Sequence, residues 1–374
     1  MELFKVYQLW PIEPLKGRGC TVWDKDGNEY LDLYGGHAVI SIGHSHPLYC
    51  KMIEEQIEKI GFYSNAVQNS LQVKLAEQLG KLSGYDDYSL FLCNSGAEAN
   101  ENAMKLASFH TGKERIIALQ KSFHGRTSGA VAATDNLKIQ SPFNKTDHIT
   151  FVRMNNLAEA EAEFAKGDCA AIIIEGIQGV AGIFEPDAEY LKGIRALCDK
   201  YNVVLIFDEV QSGYGRTGNF FAHQHSDVKG DIITTAKGMA NGFPIGGVII
   251  SPMFEAVSGM LGTTFGGSHL ACAAALAVLK VIEDESLIDN AKNMGDYLVS
   301  RLDGNKAIKE IRGRGLMIGL EMHPEYQDLR NRLLSEKKIF TGGAGKNVIR
   351  LLPPLCIDKE TADRFVSAFN ELTN

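Results

Sequence analysis

Two residues of complementary chemistry stand where short apolar runs end. Lys237 follows the β-branched run "DIITT" (231–235) in "DIITTAKGMANGFPIGG", and Asp208 follows "VVLIF" (203–207) in "VVLIFDEVQSGYGRTG". Runs of this kind read as buried strands. An ammonium at the end of one has three outcomes: it snorkels to solvent, pairs with a carboxylate, or gives up its charge to chemistry. If both strands belong to one parallel sheet, Lys237 and Asp208 leave it at the same edge and face one crevice. A lysine amine that bonds to an aldehyde, with an acid that keeps a pyridine nitrogen protonated, is the pair a pyridoxal phosphate site requires. Taken singly, Asp208 serves equally well as a helix N-cap or in a surface salt bridge.

Further strand ends carry matching groups. In "CNSGAEANENAMK" the residues Ser95, Gly96 and Ala97 open a helix whose first N–H groups point free, an anion cradle. Ser95 with Glu98 is also an ordinary capping box, which a phosphate can share. "KSFHGRT" supplies Phe123, able to stack on a flat ring, and Arg126, suited to a two-pronged grip on a carboxylate. Phe123 alone would read as core; its coincidence with the other strand ends points to a site.

Three other motifs fail on context. Gly213, Gly215 and Gly218 satisfy GxGxxG, but five residues separate the strand from the first glycine and "NFFAHQH" follows in place of a clear helix, so the dinucleotide turn is missing. "GGAGKN" (342–347) has Asn347 where a P-loop needs Ser or Thr, and Phe340 where it needs the first glycine. His44 and His46 in "GHSHP" lack an acidic or sulfur companion at a fixed offset, so a turn before a helix is expected there and no metal site.

The elements that position these groups follow from the apolar pattern. "SLFL", "RIIAL", "ITFV", "AAIII", "VVLIF", "DIITT" and "GVII", between residues 89 and 250, read as seven strands. Segments such as "ANENAMKLASFH" and "DAEYLKGIRALCDKY" between them have helical character. The fold class is therefore α/β, a large domain with a mostly parallel seven-stranded sheet. Leu71, Leu75, Leu79 and Leu82 form a packing stripe on a flanking helix. After about residue 251 the pattern turns to long helices (268–303), two strand-like runs, "LMIGLEM" and "NVIRLLPPLCI", and a last helix with Phe365, Phe369 and Leu372 in register, a smaller α+β domain. "CTVWDKDGNEYLDLYGG" reads as a hairpin turning at Asp26-Gly27, too small to stand alone and expected to pack on the C-terminal unit. The expected division is 1–50 as this N-terminal segment, 51–255 as the large cofactor-binding domain, and 256–374 as the small C-terminal domain.

Composition excludes several function classes. The 374 residues are 45% hydrophobic and 22% charged, ordinary for a globular enzyme, with no run of about 18 apolar residues to span a bilayer. "MELFKVYQLWPIEPL" lacks a basic patch before an apolar run, so the expected location is the cytoplasm. A formal net charge of −8 repels nucleic acid. The seven cysteines are scattered and never spaced as CxxC, which argues against a disulfide framework and a zinc knuckle.

"YLDLYGGHAVISIGHSHP", "NSGAEANENAMK", "FHGRT", "DEVQSGYGRTG", "TTAKGMANGFPIGG", "TTFGGSHLACAAA" and "VIRLLPPL", in this order, resemble the class III pyridoxal-phosphate aminotransferases of fold type I, in particular the acetylornithine/succinylornithine aminotransferase group. The resemblance runs nearly end to end. It implies Lys237 as the Schiff-base lysine, Asp208 on the pyridinium nitrogen, Gln211 near the ring hydroxyl and Phe123 stacked on the ring. It implies that Ser95, Gly96 and Ala97 hold the phosphate, with Thr264 reaching it from the neighbouring subunit of a homodimer and Thr263 beside it on the substrate side. Arg126 would bind the substrate carboxylate and Arg350 a second one; Tyr34 and His37 are candidates for the acyl pocket. The implied reaction moves the terminal amine of N2-acetyl- or N2-succinyl-ornithine to 2-oxoglutarate in arginine biosynthesis, by ping-pong kinetics. The alternatives are other ω-amines (ornithine, 4-aminobutyrate, an acyl-lysine), a nicotinamide-dependent oxidoreductase built on "GYGRTG", or a non-catalytic ligand binder. One position departs from the pattern: many relatives read E-P-x-Q-G-E where this chain has "EGIQGVAG", so Val180 replaces the acid that pairs there with the arginine matching Arg350. Either another acid substitutes or Arg350 stays unneutralised.

Overall fold

The structure, a computed structural model, describes residues 1–373. Strands β1 (Pro14–Arg18), β2 (Thr21–Asp24) and β3 (Glu29–Asp32) form an antiparallel N-terminal meander. The β2–β3 turn is fixed by Asp24, whose carboxylate accepts the N–H groups of Asp26 (3.0 Å) and Asn28 (2.8 Å), and by Gly27 at φ +82°.

The central sheet contains β4 (Ser89–Cys93), β5 (Arg115–Leu119), β6 (Ile149–Val152), β7 (Cys169–Glu175), β8 (Val204–Asp208), β9 (Ile232–Thr235) and β10 (Gly246–Ile250). Their spatial order is β4-β10-β9-β8-β7-β5-β6, and only β10 runs antiparallel to its neighbours. These are the seven strands the sequence predicts. Successive side chains alternate between two cores: Ile117, Ile172, Leu205 and Ile233 join one, while Ile116, Ile173, Val204 and Ile232 join the other. Burial on both faces is why these strands read as unbroken apolar runs. The helix Gly96–Thr111 packs across β7, β8, β9 and β10. The helix His269–Asp284 packs on the helices Pro47–Lys59 and Ser70–Ser83, and its apolar residues are buried nearly all round.

The C-terminal portion is richer in strands than its sequence suggests. Besides β12 (Met317–Met322) and β15 (Val348–Leu351) there are β11 (Ile308–Arg314), β13 (Ile339–Phe340) and β14 (Gly342–Ala344). The sequence does not mark them as strands, because β11, "IKEIRGR", is a charged edge strand and β14 is largely glycine. The expected run to Ile357 ends instead at Leu351, ahead of Pro353 and Pro354, which have no N–H to give a ladder. The order β11-β12-β15-β14 makes one sheet, and β13 pairs in parallel with β3, which joins the N-terminal meander to this part of the chain. The helix Lys359–Thr373 buries Phe365, Phe369 and Leu372, as their register predicts. Among the described residues no helix is long and apolar enough to cross a membrane.

Candidate active site

Parallel neighbours β8 and β9 are in register as Asp208 with Thr234, so the chain leaves both at one edge, Asp208 on the last residue of β8 and Lys237 two residues beyond β9. Both line a cavity of about 720 Å³. Lys237 is held at φ +42°, a left-handed backbone that costs a non-glycine residue about 1–3 kcal/mol, in a short 3-10 turn Lys237–Ala240. Its amine makes no ion pair among the described residues. Burial pushes its pKa down, partly opposed by Asp208 and Glu175 and assisted by Arg350, which favours the neutral nucleophile.

Asp208 is held from three sides. Its Oδ2 accepts Asn100 Nδ2 and lies against His124 Nδ1, each at 2.7 Å, and its Oδ1 accepts the Val210 N–H at 3.0 Å. Asn100, one turn into the helix Gly96–Thr111, is itself fixed by the Thr234 hydroxyl (2.6 Å). A carboxylate can only accept, so His124 carries its proton on Nδ1 and leaves Nε2 as a buried atom without a partner. Next to Asp208 on the sheet stands Glu175, the last residue of β7 and its register partner. Glu175 accepts the Phe123 N–H (2.9 Å) and the Gly179 N–H (3.3 Å). Burial, with the Asp208 charge added, raises its pKa to about 7, while His124 opposes the rise.

The same cavity collects Ser95, Gly96 and Ala97, Phe123 and Arg126, Gln211, and Arg350. Ser95 caps its helix through the Glu98 N–H (3.2 Å), leaving the Gly96 and Ala97 amides free. A Cβ on Gly96 would lie 2.6 Å from Val210, so glycine is what lets this helix end approach. Arg126 is exposed and unpaired among the described residues. Arg350, on β15, donates Nη1 to the Gly179 carbonyl (3.1 Å) and Gln211 Oε1 (3.3 Å). Gln211 in turn donates to the His37 carbonyl (3.2 Å), and the His37 ring meets the Tyr34 hydroxyl. Burial and the charges of Arg350, Lys237 and Arg330 lower the His37 pKa.

Thr263 and Thr264 do not line this cavity: Thr263 accepts Asn94 Nδ2 (3.1 Å) beside a separate pocket, and Thr264 is exposed. His44 lies against Asp32 (2.8 Å) and His46 against Glu285 (2.9 Å), so each of these histidines has an acidic neighbour from another part of the chain. Glu175, His124 and Asn100 escaped the sequence reading. Glu175 carried the same signal as Asp208, an acid closing an apolar run, whereas Asn100 carried none.

This donor set fits pyridoxal 5′-phosphate: an unpaired lysine and an anchored carboxylate in one cavity, free amides at a helix end, and an aromatic face at Phe123. The chain belongs to the class III aminotransferases, whose family model (Aminotransferase class-III) matches residues 5–372. It is accordingly an aminotransferase with pyridoxal phosphate as cofactor. It is 39% identical to the acetylornithine aminotransferase of Methanosarcina mazei, over 99% of this chain and 93% of the relative. It is likewise 39% identical to that of Bacillus subtilis, over 99% of this chain and 97% of the relative. Among solved structures, the ornithine aminotransferase of Toxoplasma gondii superposes with a TM-score of 0.92 at 31% identity, covering 99% of this chain and 92% of that one. The acetylornithine aminotransferase of Elizabethkingia anophelis gives 0.86 at 30% identity, covering 99% and 95%.

Proposed function

We propose that this chain moves the terminal amino group of an N2-acyl-ornithine, acetyl or succinyl, to 2-oxoglutarate, a step of arginine biosynthesis. One observation carries the reading: a lysine and an anchored carboxylate share a cavity with two arginines, Arg126 and Arg350, that have no acidic partner among the described residues. The names of full-length relatives at about 40% identity support the same substrate.

The cofactor, when bound, supplies an aldehyde carbon for the amine and a ring that takes up the electrons freed by C–H cleavage. Ser95, Gly96 and Ala97 would hold its phosphate, Phe123 would cover one ring face, and Gln211 would lie by its hydroxyl. Asp208 would hold a proton on the ring nitrogen, with Asn100 and His124 keeping the carboxylate in place. Lys237 Nζ would act as the base that takes and holds the proton from the carbon bearing the amine. Arg126 holds the α-carboxylate of the acyl-ornithine; for glutamate or 2-oxoglutarate, Arg126 and Arg350 take one carboxylate each. The acyl cap keeps the semialdehyde product from cyclising. The working unit is a homodimer in which Thr264 of one chain completes the phosphate site of the other. Exposed Phe265, the residue after that threonine, and exposed Phe62, whose ring lies 5.5 Å from it, support this assembly.

The deciding measurement is a donor panel with 2-oxoglutarate as acceptor. Acetyl- or succinyl-ornithine should exceed free ornithine and 4-aminobutyrate in kcat/KM. Activity on free ornithine alone would overturn the assignment.

A further inference from the structure

Arg350 is a buried cation without a counter-ion. It is 4% exposed, yet its hydrogen bonds go to neutral acceptors only, the Gly179 carbonyl and Gln211 Oε1. Its Nε is buried with no partner, and no ion pair among the described residues includes it. The nearby guanidinium of Arg330 adds like charge, and burial and Arg330 both lower the Arg350 pKa, against the opposing influence of Tyr34 and Glu175. The two carboxylates that line the cavity are committed elsewhere, Asp208 to Asn100, His124 and Val210, and Glu175 to the N–H groups of Phe123 and Gly179. Beside Gly179 the wall is Val180, 44% exposed, which lines the same cavity and carries no charge.

We infer that Arg350 is a permanently open carboxylate grip and that Val180 determines this, so that five-carbon dicarboxylates bind the enzyme in both halves of its cycle and compete with the amine donor. The inference rests on the reading of Arg126 and Arg350 as the two carboxylate sites. An unpaired buried guanidinium gains most from an entering anion, because a two-pronged pair replaces neutral contacts in a poorly hydrated place. With no side-chain acid to displace, a dicarboxylate long enough to span Arg126 and Arg350 meets the same two cations whether the enzyme awaits the acyl-ornithine or the keto acid. Excess 2-oxoglutarate therefore occupies the form that should take the donor. An acid at position 180 would close the grip by occupying the face of Arg350 that the ligand needs.

Glutarate has the five-carbon chain and two carboxylates of 2-oxoglutarate but neither a keto nor an amino group, so it can bind without reacting. Calorimetry on the holoenzyme should show glutarate binding to the wild type, a dissociation constant at least tenfold higher in Val180→Glu, and a change under threefold in the uncharged Val180→Gln. In steady state, 2-oxoglutarate should inhibit competitively against acyl-ornithine, and this inhibition should recede in Val180→Glu. Should Val180→Glu fail to fold, Gln211→Glu sets the same charge against Arg350 from its other contact. If the glutamate variant binds glutarate as tightly as the wild type while Arg350→Ala loses it, the inference is wrong and the two-arginine reading stands. If Arg350→Ala binds as well as the wild type, or the wild type does not bind at all, the reading beneath it fails too.

Discussion

Glu175 and Asp208 sit side by side on β7 and β8, and their surroundings give them opposite characters. Three donors, one of them a histidine, hold Asp208, whereas Glu175 has two backbone amides in a buried place. A carboxyl raised from 4.5 to about 7 stabilises the fold only while protonated. That contribution is complete below pH 4.5 and is lost as pH rises through 7, a span worth about 3 kcal/mol. Glu175→Gln stays neutral throughout. The stability of the wild type relative to this variant should therefore fall by about 3 kcal/mol from pH 4.5 to pH 8 in urea titrations; a pH-independent difference would remove the protonated carboxyl from the account. At Asp208 the expectation is catalytic: Asp208→Asn keeps the shape and loses the charge on the ring nitrogen, so kcat/KM should drop roughly 10²–10³-fold, the loss typical of one preorganised electrostatic partner. A variant with near wild-type turnover would separate Asp208 from the chemistry. Lys237 and Asp208 were legible because each interrupts an apolar run. The residues that anchor Asp208 were not, since Asn100 and His124 reach it only through the packing of a helix and a loop on the sheet.

Elements differ in how openly they are written. The seven central strands are buried on both faces and appear as bare apolar stretches, so both their existence and their shared edge follow from the chain. β11 alternates charge with half-buried Ile308 and Ile311 at a sheet edge, and β13 is two residues long; neither pattern exceeds that of a loop. Where elements pack backbone to backbone, a small residue is the only trace. Gly295, inside the helix Leu287–Leu302, faces the turn between β11 and β12, and a Cβ there would lie 2.1 Å from the Gly315 carbonyl oxygen. Alanine gains about 1 kcal/mol of helix propensity at this position. Overpacking against backbone costs about 1–3 kcal/mol, and Gly315, at φ +51°, sits in a turn with little room to shift. Steric cost should prevail, so Gly295→Ala should lower stability by up to about 2 kcal/mol in a denaturation experiment. A stabilised variant would mean that helix and turn are less closely docked.

At the scale of the whole molecule, the homodimer proposed above predicts where a second chain sits. Ile57, Phe62, Tyr63, Val67 and Val73 are between 43% and 58% exposed along one stretch of sequence, and Phe265, at 62%, lies with its ring 5.5 Å from that of Phe62. Single exposed apolar residues are normal, whereas a contiguous group marks an interface. Thr264 precedes Phe265 and is exposed outside its own cavity, so a partner seated on this surface would meet its hydroxyl. Phe265→Asp buries a charge in that contact and should shift the solution mass from two chains to one, measured by light scattering. A hydrogen bond to a charged phosphate contributes about 1.5–3 kcal/mol, so the same variant should release cofactor roughly 10–100-fold more readily. Thr264→Val separates the two effects, because it removes the hydroxyl and leaves the apolar contact: it should remain a dimer and lose cofactor affinity to a similar degree. A monomeric Phe265→Asp protein that holds cofactor as tightly as the wild type would show that each chain completes its own phosphate site.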